Sequence, residues 1–387
     1  MSENIKKKMD DSICDFELKI IFELEKIIKH KIPKVEAISR DEPYDKDGEI
    51  FVFTAYRLGY VVKNRHIISL GLSYSYKDLK EQKSIHLFEK KLDIFPEIIC
   101  NLEFLEILEL GNNNISHLPE SIGKLSNLKI LKIGRNKLRS LPDSFCEMKS
   151  LEQINFMNNK IESLPENFGN LKSLKLLNLD PNKLKSLPNS FGNLESLDTL
   201  FLSNNELKLL PESFGNLLKL NKFECWNNKI YKLPESFGNL ISLKYFYFQG
   251  NLLKNLSESF SKLKSLEILR LNNNKINKLP HSIGKLELLQ DLDLRRNHLE
   301  LLPDSIEDLE ILKMLYLQKN HLRNLPKKIG NLKSLEILNL ERNELKTLPE
   351  SFENLKNLQK LNISGNKLDS TLEQLQKLNS LENLNLS

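Results

Sequence analysis

Cysteine and tryptophan are scarce in this chain, which has four cysteines and one tryptophan in 387 residues. No run approaches the roughly 18 apolar residues that a membrane-spanning helix needs. The first lysines run into acidic residues without the apolar segment of a secretory signal. The spacing of the cysteines fits neither a metal site nor a disulfide framework. These absences favour a cytoplasmic protein in a reducing environment. The cysteines are Cys14, Cys100, Cys146 and Cys225.

A strong excess of either charge is also lacking. Lysine and arginine together number 57, aspartate and glutamate 52, and the two signs are mixed along the chain. Proteins that bind nucleic acids usually carry a basic stripe. We therefore expect no nucleic-acid partner.

A repeat of 23 residues organises most of the chain. An asparagine returns at this spacing without one insertion, inside the pattern L-x-x-L-x-L-x-x-N-x-L that "LEILRLNNNKI" (266–276) illustrates. Five residues after the asparagine there is usually "LP", followed by text similar to "ESFGNLKSL". The asparagines are Asn113, Asn136, Asn159, Asn182, Asn205, Asn228, Asn251, Asn274, Asn297, Asn320, Asn343 and Asn366.

The pattern has a direct structural explanation. Alternate side chains of a strand point to opposite faces, so the leucines of Leu-x-Leu face a core and the residues between them face outward. One repeat cannot bury its own leucines, so neighbouring repeats must stack. The asparagine amide can satisfy backbone groups of the turn that follows the strand. The sequence therefore predicts an α/β solenoid with a parallel sheet, held by an asparagine ladder.

The "LPxxFGNLxxL" text resembles cytoplasmic leucine-rich repeat proteins with 23-residue repeats. Among them are Ras-binding scaffolds, plant intracellular Ras-group repeats and the repeat domains of Roc–COR GTPases. The resemblance covers about residue 85 to the C-terminus. It implies a right-handed horseshoe with the sheet on its concave face, a scaffold role in intracellular signalling, and a small GTPase as one candidate partner.

Three regions are predicted. Residues 1–66 form an α+β cap of one helix and a hairpin, residues 67–104 form degenerate capping repeats, and residues 105–387 form twelve repeats and a partial thirteenth. Asp10 or Asp11 is expected to cap the helix, and a further irregular repeat has Lys90 where asparagine belongs. The expected apolar helix face is Ile13, Phe16, Ile20, Leu24, Ile27 and Ile28. The expected irregular repeat contains Ile85, Leu87, Leu92, Phe95 and Pro96.

The concave face is the expected binding surface. Its exposed positions lie six, four and two residues before each asparagine, and the repeat architecture places no demand on them. Tryptophan, tyrosine and arginine, which are enriched in binding hot spots, gather in the middle repeats. Strand surfaces favour aromatic residues in any case, so the alternative is a stable lining without a partner. The candidates are Phe201, Trp226, Tyr245, Tyr247, Arg270, Arg295, Arg296 and Tyr316.

Motifs for catalysis are missing from the sequence. It has no Gly-rich phosphate loop, Walker-type loop or nucleophile elbow. His298 and His321 directly follow ladder asparagines in adjacent repeats, but no third metal ligand stands in their row. We expect no catalytic residues, no cofactor and no metal.

The predicted function is a non-enzymatic scaffold that binds a protein partner on the concave face. The alternative is the recognition region of a larger signalling enzyme, such as a Roc–COR GTPase. The closing "LENLNLS" (381–387) motivates this alternative, because it begins a repeat without a polar cap behind it.

Overall fold

The computed structural model describes residues 13–34, 58–73, 75–78, 83–86, 90–369, 375 and 377–386. The chain divides into two compact units, residues 1–184 and residues 185–387. The predicted helix cap at Asp10 or Asp11, and Leu87 of the predicted irregular repeat, lie outside the described residues.

Helix α1, Asp15–Ile28, is the first described element of the N-terminal unit, and Cys14 precedes it at the N-cap. The predicted apolar face is wrong at two positions, because Phe16 is 55% and Ile27 51% exposed. Both lie at one edge of the apolar stripe, and the helix turns its other edge inward. Glu17, a residue that the prediction left out, is buried on that inner edge.

An antiparallel hairpin holds this helix in place. Strand β1 is Leu58–Lys63 and strand β2 is His66–Leu72. The two turn residues, 64 and 65, have φ values of 52° and 68°, as a type I′ hairpin turn requires. The buried Glu17 carboxylate accepts the Ile67 N–H at 2.7 Å, which ties helix α1 to strand β2.

Strands β3 (Ser75–Asp78) and β4 (Lys83–His86) pair with each other in antiparallel fashion. The prediction that Ile85 belongs to an irregular repeat is therefore wrong, because Ile85 lies in β4 opposite Tyr76. The Leu70–Leu72 pair of β2 supplies the repeat strand instead, and Leu70 lies opposite Leu108 of the next parallel strand.

The sheet of this unit runs in the order β1-β2-β5-β6-β7-β8, and its strands are parallel from β2 onward. Each return segment contains a 3₁₀ helix that follows a proline at its N-cap. The proline pre-sets φ for the chain entering this segment. The strands are β5 Ile107–Glu109, β6 Ile130–Lys132, β7 Gln153–Asn155 and β8 Leu176–Asn178. The 3₁₀ helices are η1 Glu97–Asn101, η2 Glu120–Lys124, η3 Asp143–Glu147 and η4 Glu166–Asn170.

The second unit repeats the same coil, with strands β9 to β17 parallel and in chain order. The predicted α/β solenoid with a parallel sheet is confirmed. The strands are β9 Thr199–Phe201, β10 Lys222–Glu224, β11 Tyr245–Tyr247, β12 Ile268–Arg270, β13 Asp291–Asp293, β14 Met314–Tyr316, β15 Ile337–Asn339, β16 Lys360–Asn362 and β17 Asn383–Asn385. The 3₁₀ helices are η5 Asn189–Asn193, η6 Glu212–Asn216, η7 Glu235–Asn239, η8 Glu258–Lys262, η9 Ile283–Lys285, η10 Asp304–Asp308, η11 Ile329–Asn331 and η12 Glu350–Asn354.

The core of the second unit is a stack of identical layers. The middle residue of every strand from β9 to β16 is buried, and Cys225 fills a leucine position at 0% exposure. Each fully buried phenylalanine or leucine contributes about 1.5–3 kcal/mol of transfer free energy. One column of stacked rings, with neighbouring centroids 6.2, 6.1 and 6.0 Å apart, is Phe191, Phe214, Phe237 and Phe260.

The repeated asparagines bond to backbone groups of their own repeat and of the preceding one. Asn251 is representative: its Oδ1 accepts the Ile230 N–H at 3.0 Å. Its Nδ2 donates to the carbonyls of Cys225 at 2.8 Å and Phe248 at 3.3 Å. These groups are buried and lie beyond the strand ladder, so the amide satisfies backbone that would otherwise be unpaired.

Gly215 lies where two neighbouring 3₁₀ helices approach closely. A Cβ placed on Gly215 would lie 2.2 Å from the backbone oxygen of Ser236. We expect Gly215→Ala to push the two coils apart and to lower the free energy of unfolding by about 2–3 kcal/mol. Ser261 holds the same position two repeats later and already carries a Cβ. Ser261→Ala is the matched control, and equal urea midpoints for the two variants would contradict the prediction.

Candidate functional site

The outward side chains of the parallel strands in the second unit form a continuous surface, which we call the strand face. In β11, Phe246 is 0% exposed in the core, while Tyr245 and Tyr247 on the other side are half-buried. The parallel register places Tyr247 opposite Glu224 of β10 and opposite Arg270 of β12. Each position of the repeat therefore becomes a row of side chains that runs across the strands.

Phe201 is not available on this face, contrary to prediction. It is 4% exposed, and the Lys222 ammonium group lies 5.5 Å from its ring centroid. Lys222 is itself buried in an ion pair of 3.0 Å with Glu224. The Lys222 side chain from the next strand lies over the ring, so the outward direction of Phe201 did not ensure its exposure.

Tyr247 lies at the centre of a network of charged side chains. The Arg270 guanidinium carbon is 5.6 Å and the Lys222 ammonium nitrogen 5.7 Å from the Tyr247 ring centroid. Arg270 donates from Nε at 3.2 Å and from Nη2 at 2.8 Å to one oxygen, Oδ2, of Asp291. Burial raises the pKa of the Tyr247 hydroxyl above its ordinary value, so the hydroxyl is a neutral donor and acceptor at neutral pH.

A second arginine repeats this arrangement one strand further along. Arg295 pairs with Asp293 at 2.8 Å, and its guanidinium carbon lies 5.8 Å from the Tyr316 ring centroid. The Asp293 side chain is 2% exposed, and burial raises its pKa, while the Arg295 N–H and guanidinium act in the opposite direction. The exposed fraction of the Arg295 side chain is 43%, so a partner can reach it.

Tyr245 and Trp226 are the other half-buried aromatic residues of the strand face. The Tyr245 hydroxyl donates to Glu267 Oε2 at 3.4 Å, and Lys244 pairs with the same carboxylate at 3.2 Å. Trp226 is half-buried, and its indole makes no hydrogen bond and no aromatic contact with another described residue. Its N–H is therefore a donor without a partner in the described part of the chain.

The half-buried aromatic and arginine side chains of the strand face are together called the aromatic–arginine surface below. Arg296 lies apart from it, in the turn before Asn297, where its φ is 54° and its side chain is exposed. The members of the aromatic–arginine surface are Trp226, Tyr245, Tyr247, Arg270, Arg295 and Tyr316.

Sequence reasoning missed the charged residues that hold this surface in place. Lys222 and Asp291 are 6% and 1% exposed, although both stand at positions expected to face solvent. A signal for them exists in the sequence. Opposite charges occur two residues apart on one strand, as in Lys222 and Glu224, or in neighbouring repeats, as in Arg270 and Asp291.

The histidine pair and the cysteines were the other candidates for chemistry in the sequence. The rings of His298 and His321 stack at 5.9 Å, and His321 Nδ1 lies 3.6 Å from Glu344 Oε1. Over the described ranges, no group of three or more histidine, cysteine, aspartate or glutamate side chains could hold a metal ion. All four cysteines are free thiols. No helix in the described part of the chain is long and apolar enough to cross a membrane.

Family models match most of the chain. A model described as leucine-rich repeat region matches residues 76–164, 155–248 and 304–387. A second model, described as leucine rich repeat, matches residues 256–299 and 266–322. The search of curated proteins gives no significant match.

Solved structures give the same result. A leucine-rich repeat protein of Leptospira interrogans shares 33% identity over 74% of this chain and 85% of its own, with a TM-score of 0.50. The plant peptide hormone receptor RGFR1, solved with RGF2, shares 28% identity over 76% of this chain and 53% of its own, with a TM-score of 0.65. An internalin of Listeria monocytogenes shares 23% identity over 79% of this chain and 90% of its own, with a TM-score of 0.65. At this identity the match shows a similar fold.

Proposed function

Because this chain belongs to the leucine-rich repeat family, we propose that it binds a protein partner through the aromatic–arginine surface. Leucine-rich repeat domains generally mediate protein–protein interaction. The role is non-enzymatic: the surface recognises a partner and carries out no reaction on it.

The half-buried aromatic side chains and the arginines beside them support this proposal most directly. Trp226 offers an unused indole N–H on a half-buried ring. Tyr247 and Tyr316 stand beside arginines whose positions are fixed by ion pairs with buried aspartates. A surface that is rigid before binding loses little entropy when the partner arrives, and these three residue types dominate binding hot spots.

The proposal extends to the cellular setting. We propose a scaffold in cytoplasmic signalling, with a small GTPase as the first partner to be tried. The similarity of the "LPxxFGNL" repeats to Ras-binding scaffolds supports this choice, and the free thiols of the four cysteines are compatible with a reducing compartment.

The decisive experiment compares two variants of the full chain as bait. Trp226→Ala/Tyr247→Ala is expected to reduce capture of the partner at least about tenfold, because it removes two anchors of the surface. Tyr231→Ala is the matched control, since Tyr231 is 49% exposed and lies outside the strand face. Capture from lysate is quantified by mass spectrometry, and purified Ras-type GTPase is tested in GTP- and GDP-bound forms. Undiminished capture by a folded double variant would refute the proposed surface.

A further inference from the structure

A polar pocket of about 380 Å³ lies beside the aromatic–arginine surface. Its residues occupy the two positions directly before the ladder asparagine in consecutive repeats. One turn, repeated along the second unit, therefore builds a trough at the end of strands β12 to β15. The lining residues are Asn272, Asn273, Arg295, Arg296, Gln318, Lys319 and Glu341.

The trough carries more positive than negative charge. Two of its charged residues are neutralised: Arg295 pairs with Asp293 at 2.8 Å, and Glu341 pairs with the neighbouring arginine at 3.3 Å. The side chains of Arg296 and Lys319 form no ion pair or hydrogen bond within the described ranges. They come from adjacent repeats, whose backbones are separated by about 5 Å. Like charges carried by neighbouring repeats repel each other, and an anion bound between them would relieve the repulsion.

The trough also contains buried amides with unused hydrogen-bonding capacity. Asn272 and Gln318 are each 8% exposed. Asn272 Oδ1 and Gln318 Oε1 are buried and have no hydrogen-bond partner among the described residues. Buried polar atoms are normally paired. Side-chain amides both donate and accept hydrogen bonds. A peptide backbone does the same, so the two can pair with each other.

We propose that this trough binds an acidic segment of the protein partner, an inference that rests on the proposed function. A carboxylate of the segment lies between Arg296 and Lys319. The amides of Asn272 and Gln318 rotate toward the trough when the segment binds, and their oxygens then accept its backbone N–H groups. The aromatic–arginine surface beside the trough then receives the rest of the partner. An acidic segment is chosen because the trough has two unneutralised cations and because its single acidic residue is already paired.

Fluorescence anisotropy with labelled, end-blocked hexaglutamate tests the proposal, with hexaglutamine as the neutral comparison peptide. The full chain is expected to bind hexaglutamate at least about tenfold more tightly than hexaglutamine. Arg296→Gln/Lys319→Gln is expected to remove this preference, because hydrogen bonds to charged groups are among the strongest. Gln318→Met keeps the net charge and the side-chain length, and is expected to weaken binding several-fold.

Lys232→Gln/Lys254→Gln is the matched control, because it removes the same charge from exposed positions outside the trough. If this control weakens binding as much as Arg296→Gln/Lys319→Gln, the attraction is diffuse and the proposed site is refuted. Equal affinity for hexaglutamate and hexaglutamine also refutes it. An end-blocked phosphoserine peptide is the last comparison. If it binds through the same two cations more tightly than hexaglutamate does, the ligand group is a phosphate and the proposed acidic segment is refuted.

Partner capture separates this inference from the proposed function. If Arg296→Gln/Lys319→Gln captures the partner normally while Trp226→Ala/Tyr247→Ala does not, the trough is refuted and the proposed function stands. If Trp226→Ala/Tyr247→Ala also captures normally, the aromatic–arginine surface itself is refuted.

Discussion

Replacing Asn251 with alanine is expected to lower the free energy of unfolding by about 3 kcal/mol. The variant leaves the Ile230 N–H without an acceptor, and Ile230 is 0% exposed, so water cannot replace the lost bond. The carbonyls of Cys225 and Phe248 lose one donor each. Both keep a second donor from a neighbouring ladder asparagine. The largest part of the cost therefore comes from one buried N–H.

Asn239→Ala provides the control for this prediction. Asn239 is an exposed asparagine at the end of η7 in the same unit, so its replacement should change stability by less than about 0.5 kcal/mol. Urea denaturation followed by circular dichroism measures both variants. A loss for Asn251→Ala no larger than that of the control would show that the buried turn finds other partners.

The repeated part of the fold could be read from the sequence, because one physical requirement is imposed many times. Leucines recur at alternate positions and an asparagine recurs every 23 residues. A stacked parallel sheet is the structure that buries both the leucines and the asparagines. The N-terminal region carries no such repetition. Ile85 has the residue type of a repeat strand, yet it pairs in the β3–β4 hairpin. The earlier Leu70–Leu72 pair already supplies a strand to β5.

The strand face was predictable only in part. Alternation along β11 determines which side Tyr247 occupies, and the sequence shows this. Exposure depends on the side chains of the next strand, and the sequence pattern does not contain that information. Phe201 and Asp291 are buried because Lys222 lies over the first and Arg270 pairs with the second. Such contacts depend on the length and rotamer of individual side chains, and a periodic sequence pattern does not determine either of them.

Arg295→Met is expected to lower the free energy of unfolding at neutral pH by about 2 kcal/mol. Arg295 supplies the ion pair to Asp293 at 2.8 Å, and the Asp293 side chain is 2% exposed. Methionine retains most of the packing of the arginine stem but leaves the carboxylate without a counter-charge. The estimate lies between the values for surface and buried pairs, because the Arg295 side chain is 43% exposed.

The pH dependence of this loss identifies its cause. Burial raises the pKa of Asp293 in the folded state above its value in the unfolded chain. The stability that the protonated Asp293 carboxyl contributes is therefore complete below the unfolded pKa, and it is lost as pH rises through the folded pKa. Arg295→Met removes the guanidinium that helps to lower this pKa but keeps the backbone N–H, so the deficit should open above about pH 4 and close in acid. Adding Asp293→Asn should restore stability, because Asn339 at the same strand position accepts the Glu341 N–H at 3.0 Å. A deficit that is independent of pH, or unchanged by Asp293→Asn, would assign the loss to packing instead of charge.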